Sequence, residues 1–257
     1  WGLIEADLYH NEMQADYDLL LSSGVTPLEA DNRVTVAKLN NTFEVGADHI
    51  LRVAGEYRSG SNIFASSAAS LDQDDLKYDI WSASALWDWT ASEKIRTSVA
   101  VRYDDFELKP DGPNFVAPGA IGAFSPFTDA DFNQEREEVS YNLGLTYKLD
   151  DISNVKLTTS RGADLPSFTE FGLQFFSVGT TSPSSGIYGN PYTDTSIVTN
   201  YEIAYDRKIE DIRGNMRAAL FYQQSDDMQA FGADVYQLAG PVDIAQIGNI
   251  GDSEMFG

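Results

Sequence analysis

Apolar and polar residues exchange places at every second position of this chain, in one segment after another. Ile95, Thr97, Val99, Val101 and Tyr103 stand against Arg96, Ser98, Ala100, Arg102 and Asp104. Val139, Tyr141, Leu143, Leu145, Tyr147 and Leu149 stand against Ser140, Asn142, Gly144, Thr146 and Lys148. Successive side chains of a β-strand point to opposite faces, so a period of two marks a strand with one apolar and one polar face. The same pattern runs through Ile4, Ala6 and Leu8; Ala37, Leu39, Phe43 and Val45; and Leu51, Val53 and Tyr57. It returns in Trp81, Ala83, Ala85, Trp87 and Trp89, and again in Ile197, Thr199, Tyr201, Ile203 and Tyr205. Residues 214–225 continue it, with Ala218, Leu220 and Tyr222 facing away from Phe221. About ten strands result, and the chain reads as all-β.

The connections sharpen this reading. Gly46-Ala47-Asp48, Thr90 to Lys94, Asp150 to Asn154 and Glu210-Asp211 are short turns. Between them fall polar or Pro-rich stretches, at about residues 59–75 and 106–134 and after Ser160, each expected as a loop of about 15 to 35 residues. A polar stretch with Gly24 and Pro27 and a last loop near the end bring the expected excursions to five. Turns that alternate short and long describe an antiparallel up-and-down meander whose long loops gather at one end. A Greek-key sandwich has no reason to keep that order.

Which face points outward is decided by charge. Arg52, Glu56, Arg96, Arg102, Lys148, Glu202, Asp206 and Arg217 fall in the middle of polar faces, as in a wide barrel with a charged lumen. On the apolar faces Tyr57 and Tyr103 fall near the long-loop end, and Trp87, Trp89, Tyr147 and Tyr205 near the short-turn end. Two aromatic rows around an aliphatic band match the two interfaces of a bilayer. A lipocalin-type barrel, the soluble alternative, would turn the apolar face inward.

Composition excludes several classes. The 257 residues carry a formal charge of −23, which argues against nucleic acid as a partner. There is no cysteine, hence no disulfide, thiolate metal site or cysteine nucleophile. Mean hydropathy is −0.29 and no apolar run approaches the roughly 20 residues of a membrane helix, which leaves a barrel open. The opening Trp1-Gly2-Leu3-Ile4 reads as mid-strand sequence, so the chain is expected to be a segment of something longer.

No catalytic constellation emerges. His10 and His49 are on different strands, and the adjacent pairs Asp104-Asp105 and Glu137-Glu138 point to opposite faces. Asp72-Gln73-Asp74-Asp75 offers carboxylates to Ca²⁺ but lacks the glycine and distal glutamate of an EF-hand loop, and a solvated acidic loop is the plainer reading. No cofactor is implied. The excursion after Ser160 is rich in aromatics, and Arg161, Phe168, Phe171, Phe175, Phe176, Tyr188 and Tyr192 are the candidates for ligand contact there. The alternative is that these rings pack against neighbouring loops or a plug.

This excursion also carries a family pattern. Ser160-Arg161-Gly162-Ala163-Asp164-Leu165-Pro166-Ser167-Phe168-Thr169-Glu170-Phe171 resembles a loop of TonB-dependent outer-membrane receptors, Ser-Arg-Gly-aromatic-Arg-Ala-Pro-Ser-apolar-x-Glu-Leu. Gly189-Asn190-Pro191 and Asn200-Tyr201-Glu202-Ile203-Ala204-Tyr205 resemble the segment that follows it in the family. Asn41-Thr42-Phe43, His49-Ile50-Leu51 and Gly55-Glu56-Tyr57-Arg58 resemble an earlier hairpin. Asn249 to Gly257 resembles the approach to a later strand. Asp164-Leu165 stands where the family has Arg-Ala, and Tyr192 to Thr195 replaces its Leu-x-Pro-Glu.

The resemblance implies that residues 1–257 are part of one transmembrane β-barrel domain of the 22-stranded type, without the plug domain or TonB box. It implies no enzyme activity. It implies a Gram-negative outer-membrane location, contact with outer-membrane lipid, and coupling to the TonB complex through parts outside this chain. The cargo expected is an iron-siderophore, with oligosaccharide, vitamin or another metal chelate as alternatives. Arg52, Arg102, Lys148, Glu202 and Arg217 would then line the lumen. A passive porin, an adhesin barrel and a soluble β-rich binding protein are the competing classes.

Overall fold

The computed structural model describes residues 2–21, 24–66, 75–112, 127–172, 174–178, 183–238 and 242–257. Of these, residues 17–21, 24–30, 63–66, 174–178, 183–187, 211, 231–238 and 242–244 are described by their backbone alone. The strands are β1 (Leu3–Leu21), β2 (Gly24–Val45), β3 (His49–Ser66), β4 (Leu76–Thr90), β5 (Ile95–Pro110), β6 (Gln134–Lys148) and β7 (Ser153–Asp164). A short helix α1 (Phe168–Gly172) follows, then β8 (Gln174–Val178), β9 (Pro183–Tyr188), β10 (Ser196–Ile209), β11 (Gly214–Leu238) and β12 (Val242–Phe256).

One sheet contains all of them, in the order β1-β2-β3-β4-β5-β6-β7-β10-β11-β12-β9-β8. Ten strands form an antiparallel up-and-down meander, as the periodicity predicts. The extra pair, β8 and β9, is a hairpin inside the β7–β10 excursion, and β9 adds to β12 in parallel from Asp243↔Ser185 to Gln246↔Tyr188.

The register assigns every side chain to a face. Ile4, Leu39, Val53, Trp87, Val101, Leu143, Leu157, Ile203 and Leu220 share the outer face, and there apolar groups meet the surroundings instead of a core. Leu8, Leu39, Trp81, Ile203 and Leu220 are 77%, 57%, 61%, 47% and 69% exposed. A continuous apolar surface of this extent needs a non-aqueous neighbour. The band spans Ile95 to Tyr103 on β5 and Val139 on β6 to Leu149 just past its end, roughly 25 Å for strands of this tilt. At its lower edge His49, Trp87 and Trp89 cluster, the imidazole 5.8 Å from each indole and the indoles 5.6 Å from each other. At its upper edge Tyr57 meets Trp81 at 4.5 Å.

Above the band the faces exchange character while the pleat stays in phase. The outer positions become Asp79, Asp105, Glu107 and Glu137, and the inner ones become Leu76, Tyr78, Ile80, Phe106 and Leu108. Leu76, Phe106 and Leu108 are buried, with Phe132, Phe168 and Phe171 packed over them. The hydrophobic core of the described residues therefore lies on the inner wall, above the apolar band.

The strands outrun the boundaries expected from sequence. β3 reaches Ser66 and β5 reaches Pro110, where loops are expected from 59 and 106; β1 and β2 meet across residues 22–23, so that excursion is a protruding ribbon. Above the apolar band the apolar parity passes to the inner face on β5 and lapses on β1 and β2, so a single period-two pattern breaks although the ladder bonds continue. Likewise β12 is one strand, and its pairing with β11 shifts register at Ser225/Met228, Met228/Gln229 and Phe231/Asp234 of β11. Gly251 there has φ of +114°, a backbone conformation few residues other than glycine tolerate.

Candidate functional site

The β7–β10 excursion folds back over the inner wall. Its first turn is set by Ser167 and Glu170: the Ser167 amide donates to the Glu170 carboxylate at 2.6 Å, and the Glu170 amide donates to the Ser167 hydroxyl at 3.4 Å. This reciprocal box starts α1. It places Phe168 and Phe171 three residues apart, on one side of the helix. Phe171 stacks on Phe106 at 5.6 Å and Phe168 packs on Tyr78 at 4.7 Å.

The next segment is seated on that helix. A Cβ at Gly189 would lie 2.5 Å from the backbone of Phe171, so only glycine permits the approach. The Asn190 amide donates to the Glu170 carbonyl at 2.7 Å. The Asn190 side chain then closes an Asx turn, accepting from the Tyr192 amide at 2.9 Å. Arg136, reaching inward from β6, donates to the Pro191 carbonyl at 3.2 Å, pairs with Asp194 at 3.3 Å and lies over the Phe171 ring at 5.6 Å. Asn249 of β12 brackets Asp194, accepting from its amide at 2.8 Å and donating to its carbonyl at 3.2 Å. Gln229 of β11 donates to the same carbonyl at 2.9 Å. Residues 189–194 thus tie β6, α1, β11 and β12 together across the mouth.

The aromatic candidates part company here. Phe168, Phe171 and Tyr188 are buried, and burial raises the Tyr188 hydroxyl well above its ordinary range. Phe175 and Phe176 lie on β8, and their side chains fall outside the described residues. Tyr192 stays 53% exposed, its ring 6.0 Å from Phe127 and its hydroxyl donating to Asp131. That hydroxyl and the Thr128 amide and hydroxyl hold the Asp131 carboxyl below the usual carboxylate range.

Arg161 lies in β7 and not in the loop. Pairing of β6 with β7 stops at Tyr141↔Arg161, while β5–β6 continues to Leu108↔Gln134 and β7–β10 to Ser196↔Asp164. The two strands part, and the Arg161 guanidinium donates to the Val139 carbonyl and, at 3.2 Å, to Glu138 across the split. The Ala163 amide adds a bond to the Ser140 hydroxyl at 3.3 Å. A backbone gap that the sheet itself cannot close is thus closed by side chains.

Arg52, Arg102, Lys148, Glu202 and Arg217 all lie on the inner face. Arg102 contacts Glu56 at 3.3 Å, Asp104 at 2.8 Å and Ser82 at 2.7 Å; Lys148 pairs with Asp151 at 2.8 Å; Arg217 pairs with Glu202 at 2.6 Å. Of the acidic run, residues 72–74 lie outside the described residues, and Asp75 accepts a bond from the Asp111 amide at 2.8 Å. A depression of about 730 Å³ on the outer wall, lined by Val99, Leu143, Leu145, Leu157 and Leu220 together with Thr97, Thr159, Tyr201 and Tyr222, belongs to the exposed band.

Sequence reasoning missed Asp131, Arg136, Asp194, Gln229 and Asn249. The Ser167-x-x-Glu170 spacing was the one local signal available, because the other partners are 55 or more residues from the segment they hold or lie on strands whose pairing no motif encodes.

A family model described as TonB dependent receptor-like, beta-barrel, matches residues 4–257. Among solved structures, the Serratia marcescens hemophore receptor HasR, in complex with its hemophore HasA and heme, is similar over 100% of this chain and 42% of its own length, at 16% identity and a TM-score of 0.67. The siderophore receptor PirA from Pseudomonas aeruginosa is similar over 99% of this chain and 46% of its own, at 13% identity and a TM-score of 0.67. The copper transporter OprC is similar over 99% and 40%, at 14% identity and a TM-score of 0.70. The chain therefore spans less than half the length of these proteins, and the likeness at such identity concerns the fold. A search of curated protein sequences gave no significant match.

Proposed function

Because this chain belongs to the TonB-dependent receptor-like β-barrel family, we propose that it forms part of the wall of a Gram-negative outer-membrane receptor that binds a scarce ligand at its long-loop end and imports it with energy delivered through TonB. In this reading residues 1–257 lie within one barrel domain, and the chain performs no catalysis. The observation that carries it is the reversal of faces. An apolar band faces outward at bilayer height, charges face inward at the same height, and above the band an inner aromatic core seats the β7–β10 excursion across the mouth. A soluble β-barrel would bury its apolar band.

For cargo we favour an iron chelate of the siderophore type. The support is that similar structures include a siderophore receptor and a hemophore receptor; a copper transporter among them makes another metal-bearing ligand the second choice. Tyr192, exposed at the rim of the docked excursion, and the half-buried Asp131 that its hydroxyl bonds are the groups best placed to meet cargo. Arg161, Phe168, Phe171 and Tyr188 support that rim. Arg52, Arg102, Lys148, Glu202 and Arg217 line the passage.

The test is uptake of radiolabelled ferric siderophores by cells carrying the full receptor, with and without a functional TonB. Saturable uptake that disappears without TonB supports the proposal. Uptake unaffected by TonB and linear in concentration would instead identify a passive channel.

A further inference from the structure

The outer wall is not evenly apolar along its height. Its depression of about 730 Å³ runs along β7 over Leu157 and Thr159, flanked by Leu143 and Leu145 of β6 and by Tyr201 and Ile203 of β10. Toward the short turns the next outward row is Tyr147, Val155 and Tyr205, so two tyrosines stand on either side of a smaller valine. One pleat lower, Arg207 lies opposite Ser153 and shares the outward parity of Tyr205. Its guanidinium donates to the Tyr205 hydroxyl at 3.4 Å, and that hydroxyl donates to the Ser153 hydroxyl at 3.4 Å. The charge is thus held at the lower edge of the apolar band, directly below the mouth of the depression.

Arg207 also differs from its neighbours in what it lacks. The cations on the inner side at this end are matched: Lys148 with Asp151, Lys156 with Asp206 and Arg217 with Glu202. Arg207 is exposed and makes no ion pair among the described residues. In a chain of 40 acidic and 17 basic residues, an outward cation without a carboxylate calls for an external partner. The carboxylate whose charge reaches it, Asp150, is held in its own turn, accepting from the Ile152 amide at 2.9 Å. A guanidinium carries five donors in a planar fork, and one of them is used here.

We propose that this part of the outer wall holds one glycerophospholipid of the periplasmic leaflet. Its phosphate takes the free donors of Arg207, a geometry that guanidinium and phosphate share. An acyl chain passes over Val155 between Tyr147 and Tyr205 and lies in the depression above. The leaflet follows from the turns, because short turns face the periplasm in barrels of this kind, and from the tyrosines, which sit at the level of lipid headgroups. The proposal rests on the reading that this chain is barrel wall in an outer membrane, and it adds a fixed lipid to the general contact with bilayer that this reading entails.

The experiment is native mass spectrometry of the detergent-purified full-length receptor, titrated with dioleoylphosphatidylglycerol or with dioleoylglycerol, which has the same acyl chains and no phosphate. One phospholipid should bind more tightly than those that follow, and dioleoylglycerol should not replace it. Arg207→Gln should weaken this first lipid at least about tenfold, the loss of one charge-assisted contact. Thr97→Phe, which fills the depression from its β5 side, should weaken it as well. Lys208→Gln, at the next residue and on the opposite face, should leave it unchanged. Heat-modifiable gel mobility certifies that each variant is folded. Many lipids bound with equal affinity, equal retention of dioleoylglycerol, equal losses in Arg207→Gln and Lys208→Gln, or a receptor dimer that Thr97→Phe dissociates and that retains no lipid would each overturn the proposal. Insertion into phosphatidylglycerol vesicles is scored separately. A receptor that inserts but holds no such lipid refutes the site alone, and one that stays soluble without detergent refutes the membrane reading beneath it.

Discussion

Replacing Phe171 by alanine should undock the mouth segment and leave the barrel wall intact. Phe171 is 1% exposed and contributes the ring that both Phe106 and Arg136 contact. Truncating a fully buried phenylalanine costs about 3–5 kcal/mol, and the stacking on Phe106 and the guanidinium contact are included in that figure and not added to it. Only the docking of residues 168–194 depends on this contact, since the strands keep their ladders without it. At about 1.4 kcal/mol per tenfold, the closed-to-open ratio of the segment should fall by two to three and a half orders of magnitude. Hydrogen exchange reads this directly. The Asn190 amide bonds to the Glu170 carbonyl and the Thr193 amide to the Asn190 carbonyl, so both should lose at least a hundredfold in protection. Amides in mid-strand, such as Leu143 and Ile203, should be unchanged. The absence of cysteine in this chain permits an orthogonal check, with a single cysteine at Thr193, which is fully buried here, becoming reactive to maleimide only in the alanine variant. Unchanged protection at Asn190 and Thr193 would refute the view that the aromatic core seats the segment. Equal loss of protection in mid-strand would refute the separation of mouth from wall.

Three further outcomes follow from the same geometry. Leu220→Arg, at an outward position, should lower the stability of the bilayer-inserted barrel by about 2–4 kcal/mol in vesicle refolding assays, and the inward Ala219→Arg should be far milder; equal effects would contradict the face assignment. Arg161→Met strips the donor from the Val139 carbonyl at the split between β6 and β7, an orphaning worth about 1–3 kcal/mol, and should lower the temperature of heat modification. The Asp131 carboxyl is held below its ordinary range by Tyr192 and Thr128. The contribution of this contact is therefore complete above the ordinary carboxylate range and is lost only as the pH falls through the lowered value. Protection of the Asp131 amide, taken relative to its intrinsic exchange rate, should stay constant from pH 7 to about 4.5 and fall only at lower pH, with the fall beginning at a higher pH in Tyr192→Phe.

The legible part of this protein is the part where one rule acts alone. At the level of the apolar band each strand has a single apolar face, and the run from Val139 to Leu149 announces both the strand and its outward apolar face. On β4 the apolar parity passes from Leu76, Tyr78 and Ile80 to Trp81, Ala83 and Ala85 within one step. Read as a single pattern this step looks like noise. It marks the level where the outer apolar band ends and the wall begins to cover its own interior. Arg161 shows the opposite case. Its place in a family-like loop suggested ligand contact, and pairing across a split in the sheet, invisible in sequence, supplies its partner.

By itself the sequence determined the ten strands of the meander, their order and the two faces at the level of the apolar band, because these follow from the period of a β-strand and the turns that interrupt it; the β8–β9 pair on the edge of β12 came only with the structure. The resemblance of Ser160 to Glu170 and Gly189 to Pro191 pointed to the family that the whole chain then matched. The tertiary structure alone decided what the aromatic excursion does. Phe168 and Phe171 are buried against Phe106, while Tyr192 is left in the open, because Arg136, Gln229 and Asn249 arrive from three other strands to hold the backbone between them. Contacts between residues so far apart in the chain are set by how the sheet curves and where its register lies, and neither quantity is written in any local stretch of residues.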